Sequence, residues 1–196
     1  DYIVDPTGYF VMQIQTVKAN QSFGLYLTIP VDFLVLWGDG TNETFNTAGY
    51  KSHTYTNPGV YNISMNGQVN SFSPYYLNVG SPGLIIDILT NMTDGINPIV
   101  NNFGTFFKGA NQITNFTEPH FLDEMSKTIK SYYQTFSGAS SFNGSLSGWN
   151  TTGVTTLETM FSGASSFNQP LNHFDTSSVT TMTGIFQYAT SFNQPL

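Results

Sequence analysis

Between Tyr9 and Val79 the chain alternates short apolar stretches with turn residues. Tyr9-Phe10-Val11-Met12, Gly24-Leu25-Tyr26-Leu27-Thr28-Ile29 and Phe33-Leu34-Val35-Leu36-Trp37 are rich in β-branched and aromatic side chains. This spacing predicts an antiparallel β-sandwich and argues against helices. Tyr61, Ile63 and Met65 alternate with Asn62 and Ser64, so a strand there buries the first set and shows the second to solvent. In Trp37-Gly38-Asp39-Gly40-Thr41, Gly38 and Gly40 admit backbone angles closed to other residues and Asp39 can bond the turn amides, which predicts a tight hairpin.

The second half repeats itself. Phe136-Ser137-Gly138-Ala139-Ser140-Ser141-Phe142-Asn143 returns as Phe161-Ser162-Gly163-Ala164-Ser165-Ser166-Phe167-Asn168, an offset of 25 residues, and again from Phe186 to Asn193. An atypical earlier copy begins near Phe107-Lys108-Gly109-Ala110, as terminal repeats often do. Val154, Leu157, Met160, Phe161 and Ala164 fall at helical spacing, which predicts a short helix over 155–162 stopped by Gly163. Pro170 predicts an extended pass over 167–174. A unit this small cannot cover its own apolar face, so copies must stack, with Phe142, Phe167 and Phe192 in a ladder and Phe136, Met160, Phe161 and Phe186 in the same core.

Leu84-Ile85-Ile86-Asp87-Ile88-Leu89, between Pro82-Gly83 and Asp94-Gly95, predicts a strand that caps the stack and joins the two parts rigidly, since no flexible Gly/Ser linker separates them. The expected organisation is a β-sandwich over 1–80, a capping strand and junction over 81–100, and a repeat solenoid over 101–196. The solenoid has a degenerate unit near 107–133, units at 134–158 and 159–183, and a partial unit at 184–196. The fold class expected is mixed: an antiparallel β-sandwich followed by an α/β leucine-rich-repeat-type solenoid.

Two resemblances sharpen this reading. Trp37-Gly38-Asp39-Gly40-Thr41, His53-Thr54-Tyr55 and Pro58-Gly59-Val60-Tyr61-Asn62-Ile63-Ser64 together resemble the polycystic-kidney-disease-type (PKD-like) immunoglobulin-like module, which implies an extracellular spacer or binding domain. Met160-Phe161-Ser162-Gly163-Ala164-Ser165-Ser166-Phe167-Asn168-Gln169-Pro170-Leu171 resembles the BspA-like leucine-rich repeat of bacterial and protist surface proteins. That resemblance implies surface attachment, binding of host or matrix proteins and co-aggregation, with no catalysis in the repeats. Thr135 stands where Met160 does, and Gly144-Ser145-Leu146 replaces Gln169-Pro170-Leu171.

Composition narrows the function. Charged residues are 9% and aromatic residues 15% of the chain, so the surface is polar but nearly neutral while the core material is plentiful. A formal charge of −7 with five Lys and Arg leaves no basic patch for nucleic acid or an anionic membrane. No cysteine is present, which removes disulfides, thiolate metal sites and cysteine nucleophiles. No apolar run reaches the roughly 20 residues that span a bilayer.

Candidate chemistry is sparse. Asp39 and His53 carry atoms suited to a metal or an acid–base pair, but the turn itself requires the Asp and the PKD-like resemblance gives His53 a structural role. Trp37 reads as core rather than as a stacking platform. His120 has Glu118, Asp123 and Glu124 nearby, without the spacing of a known ligand set; His173 stands apart. No phosphate loop, nucleophile elbow or dinucleotide fingerprint occurs. Catalytic residues, metal and cofactor are all expected to be absent. Candidate N-glycosylation acceptors are Asn20, Asn42, Asn62, Asn91, Asn115, Asn143 and Asn150, with Asn42 and Asn62 expected to be modified ahead of the others in a secreting eukaryote.

The function expected is adhesion or protein and glycan interaction at the cell surface through the solenoid, extracellular and non-catalytic. The alternative is a structural subunit that self-associates head-to-tail into filaments through a solenoid end left open at Leu196, unless further repeats continue there. A third is the glycan-binding arm of a secreted hydrolase.

Overall fold

Among the described residues the first half builds two sheets from nine strands: β1 (Phe10–Thr16), β2 (Gln21–Thr28), β3 (Val31–Leu36), β4 (Asn42–Phe45), β5 (Gly49–Tyr55), β6 (Gly59–Val69), β7 (Ser71–Ser73), β8 (Ile85–Ile88) and β9 (Ile96–Pro98). The structure, a computed structural model, describes residues 8–69, 71–74, 82–90, 96–98, 103–117 and 128–195. The larger sheet runs β4-β3-β6-β1-β8, with β9 lying parallel to the end of β6, and the smaller runs β5-β2-β7. The other pairings are antiparallel.

Period-two burial explains the strands. Phe23, Leu25 and Leu27 of β2, Phe33 and Val35 of β3, and Ile63 and Met65 of β6 are buried, while Ser22, Asn62 and Asn66 face out; Ser64, expected at the solvent face, is buried instead. The buried rows of both sheets belong to one hydrophobic core. Tyr55 of β5 donates its hydroxyl to the Trp37 carbonyl at 2.9 Å, which stitches the smaller sheet to the end of β3 in the larger.

The segment around Leu84 lies on the flank of the larger sheet. After a 3-10 turn at Pro82–Leu84, β8 pairs with β1 (Met12↔Ile88, Gln13↔Asp87). From that edge Asp87 accepts hydrogen bonds from the Thr117 amide at 2.7 Å and from the Thr117 hydroxyl. The Gln112 side chain donates to the Gly83 carbonyl, so the sheet edge is bonded to the first coil of the repeat region.

The repeat region corrects the expected fold class. Among the described residues there is no α-helix, so the α/β leucine-rich-repeat-type solenoid is overturned, and with it the helix over 155–162. Regular structure here is limited to turns and isolated parallel bridges, Ser131↔Thr156 and Thr156↔Thr181. The chain forms stacked coils whose amides alternate between two partners. Tyr132, Gln134, Phe136 and Gly138 donate to the carbonyls of Thr156, Glu158, Met160 and Ser162 in the next coil at 2.7–3.1 Å. The intervening Thr135, Ser137 and Ala139 donate three residues back, to Tyr132, Gln134 and Phe136. The pattern recurs one coil earlier, from Phe103 to Gly109, and one coil later, from Leu157 to Gly163.

Backbone handedness shows why no helix forms. Thr105, Gln134, Thr159 and Gly184 have φ of 64, 56, 50 and 64°, and Gly109, Gly138, Gly163 and Tyr188 have φ of 76, 74, 73 and 61°. Each left-handed residue breaks a right-handed helix. Successive three-residue turns nevertheless bury positions at much the same spacing as a helix, which is why Val154, Leu157, Met160, Phe161 and Ala164 are all buried.

The stack is welded by two columns of rings. Phe107, Phe136, Phe161 and Phe186 follow one another at centroid distances of 5.3, 5.6 and 5.7 Å with planes within 10°. Phe142, Phe167 and Phe192 form the second column at 5.9 Å per step. Within a coil the columns touch, as at Phe161 and Phe167, 4.1 Å apart.

Candidate functional site

The polar cluster at the mouth of the Trp37–Thr41 turn brings together residues distant in sequence. Gly38, at φ 85° and close enough to the Asn62 carbonyl that a side chain would collide with it, lets β3 turn sharply and aims Asp39 toward β5. One Asp39 oxygen accepts from the Thr41 amide at 3.1 Å and the Thr41 hydroxyl at 2.6 Å; the other accepts from His53 Nε2 at 2.6 Å. His53 lies flat against Trp37, with centroids 5.1 Å apart, and meets Tyr55 edge-on. Trp37 Nε1 donates to Glu43 at 3.2 Å.

Burial pushes the Asp39 carboxyl up, but the hydrogen bonds from Thr41 and His53 outweigh it and hold the group below its usual value. Burial, with the Asp39 charge beside it, drives the Tyr55 phenol far above the ordinary phenol range. The donors on Asp39 close the hairpin, and Trp37, fully buried, offers no stacking face. Among the described residues no three His, Cys, Asp or Glu side chains converge to hold a metal ion. His173 stands apart, donating through Nε2 to the Leu146 carbonyl at 2.8 Å. Glu118, His120, Asp123, Glu124 and the acceptor Asn91 lie outside the described residues.

The coil exterior carries a second set of polar groups in columns. Asn143 Oδ1 accepts from the Asn168 amide at 2.9 Å, and Asn168 Oδ1 accepts from the Asn193 amide at 2.9 Å. The side-chain amides of Gln169 and Gln194 add donors to the same two Asn residues. Thr155 and Thr180 each donate their hydroxyl to the carbonyl one coil back, at Lys130 and Thr155. Asp175 is held below its usual value by the Ser177 side chain and amide.

Residues 101–196 match the family described as Mycoplasma protein of unknown function, DUF285. This DUF285-like segment coincides with the coil stack and excludes the β module. No curated protein and no solved structure matches the chain significantly. Among the described residues no helix is long and apolar enough to cross a membrane.

Of the glycosylation candidates, Asn20, Asn42, Asn62, Asn115 and Asn143 are exposed and Asn150 is half-buried. Asn62 accepts from Gln13 at 2.9 Å, and Asn150 caps its own turn through the Thr152 amide. Asn143, in the DUF285-like segment, has its oxygen committed to the next coil. The Asn and Gln columns were not foreseen as structural, though recurrence of Asn-Gln-Pro at the same 25-residue offset as the core Phe residues was a readable sign.

Proposed function

We propose that the chain is an extracellular, non-catalytic surface protein that binds other proteins or glycans through the outer face of its coil stack. The observation that carries this reading is the exterior itself: nearly uncharged Thr, Ser and Asn side chains recur in register from coil to coil. Thr155 and Thr180 are exposed in one column and Ser166 and Ser191 in another. A partner with its own repeat, such as a polysaccharide or a repetitive protein, meets matching hydrogen-bonding groups several times over, so weak contacts add. The resemblance of Met160–Leu171 to BspA-like surface repeats supports the surface assignment.

Binding of the full chain to glycan and matrix-protein arrays tests the proposal. Saturable binding lost on replacing Thr155 and Thr180 with Lys supports it; absence of binding across both arrays rejects it. The alternative of head-to-tail filaments gains less support, because the first coil is already bonded to the sheet edge through Asp87–Thr117 and Gly83–Gln112.

A further inference from the structure

Asn143, at the head of the Asn column, combines two features that no other described asparagine brings together. Its Oδ1 accepts from the Asn168 amide at 2.9 Å and from Gln169 Nε2 at 3.2 Å. The residue after it is Gly144, whose amide has no acceptor among the described residues.

Two other asparagines carry these features singly. Asn168 has the same donors on its oxygen, the Asn193 amide at 2.9 Å and Gln194 Nε2 at 3.1 Å, but Gln169 follows it. Asn66 precedes Gly67 in the other Asn-Gly pair of the sequence, but it lies inside β6. There Gly67 pairs with Ile96, a Cβ on it would meet the Asp32 carbonyl at 2.6 Å, and Asn66 donates its side-chain amide to the Gly8 carbonyl.

We infer that Asn143 is a self-modification site, at which the Gly144 amide nitrogen displaces the side-chain nitrogen and the asparagine becomes aspartate or isoaspartate in the folded chain. The Gly144 amide gives its proton to hydroxide, and its nitrogen attacks Asn143 Cγ. Negative charge then develops on Oδ1, where two N–H donors already point. As the Cγ–Nδ2 bond breaks, Nδ2 takes a proton from water and leaves as ammonia, which closes a cyclic imide. Water opens the ring at either carbonyl, so the balance is water in and ammonia out. A side chain beside the attacking nitrogen crowds this approach, as that of Gln169 does after Asn168, and glycine removes it. Packing keeps glycine there, because a Cβ on Gly144 would meet Phe142 Cε2 at 2.7 Å and Asn115 Oδ1 at 2.9 Å. The product sets a carboxylate at the head of a neutral column, and its isoaspartate form lengthens the backbone by a methylene beside the Phe142 ring. The reaction needs no partner and is independent of what the coil exterior binds.

Peptide mapping by mass spectrometry, after incubation of the full chain in mildly alkaline buffer with and without denaturing urea, tests this. In the folded chain Asn143 is expected to convert about tenfold faster than Asn66 and Asn168. In urea Asn143 and Asn66 should converge, because both are then Asn-Gly pairs in a free chain. Gln169→Ala removes a donor from Oδ1 and is expected to slow conversion about threefold, less than such a loss costs in a dry enzyme site. A Gln169 side chain that served only as a clamp would have the opposite effect, since its removal would free Asn143 and speed the reaction. Conversion at Asn143 no faster than at Asn66 or Asn168, the same Asn143-to-Asn66 ratio in urea, or unchanged or faster conversion in Gln169→Ala overturns the inference.

Discussion

The Tyr55 hydroxyl reaches across from the smaller sheet to the Trp37 carbonyl at 2.9 Å, and both residues are fully buried. Replacing Tyr55 with Phe keeps the ring stacked on Tyr61, 4.2 Å away, but leaves a buried carbonyl short of a donor. We expect Tyr55→Phe to cost about 1–3 kcal/mol. Tyr61→Phe, which removes an exposed bond to the Asn57 carbonyl, should cost less. A lower urea midpoint at unchanged slope is the readout; equal midpoints for the two variants would show that the bond does not tie the sheets.

Acid should loosen the same corner. The Asp39 carboxyl is held below its ordinary value of 3.8 in the folded chain. A depressed carboxylate contributes stability that is fully present above the unfolded value and is lost as pH falls through the lower folded value. The expected loss therefore begins below about pH 4. Asp39→Asn keeps an acceptor for Thr41 and removes the titration, so it should lower stability at neutral pH and flatten the acid limb of the stability profile. A parallel limb in wild type and variant would assign the acid sensitivity elsewhere.

Gly163 gives a test whose sign depends on the backbone. In a helix, replacing Gly by Ala stabilises by about 1 kcal/mol. At φ 73°, with only ordinary contact to Gly138 in the way, Gly163→Ala should instead destabilise by about 1 kcal/mol or more. Tyr188, left-handed at the equivalent position, predicts the converse: Tyr188→Gly relieves strain and should raise the thermal midpoint. A stabilised Gly163→Ala would contradict the coil geometry.

The contrast between the halves shows what a sequence pattern can carry. Phe33 to Trp37 and Tyr61 to Met65 read as strands because period two has one common structural meaning. The β5 strand, mostly polar with only Tyr55 fully buried, left no such pattern. The pairings of β8 with β1 and β9 with β6 join distant segments, and no local signal encodes them. From Val154 to Ala164 the apolar spacing marked the buried residues, but helices and stacked three-residue turns share it. What separates them is the left-handed backbone at Thr159, which a Thr does not announce. The 25-residue period did announce that equivalent Phe residues meet. The Asp39–His53 pair was visible as two residues worth weighing together, whereas the coil-to-coil amide bonds depend on a hydrogen-bond polarity that composition does not contain.

Phe161 is the centre of the ring columns and should be the costliest of them to truncate. It has rings above and below at 5.6 and 5.7 Å and a neighbour in its own coil at 4.1 Å, and it is fully buried. Phe161→Ala removes all three ring contacts and leaves a void between coils that hydrogen bonding holds at fixed spacing, so a cost of about 3–5 kcal/mol is expected. Phe192, half-buried and stacked on Phe167 and Phe186, has less surface to lose, and its truncation should cost about half as much. Because each coil contacts only its neighbours, the damage should be local. Amides from Leu157 to Gly163 should exchange faster in Phe161→Ala while β1 and β6 keep their protection. Equal loss of protection in the sheets would mean that the two halves unfold as one unit through the Asp87–Thr117 junction.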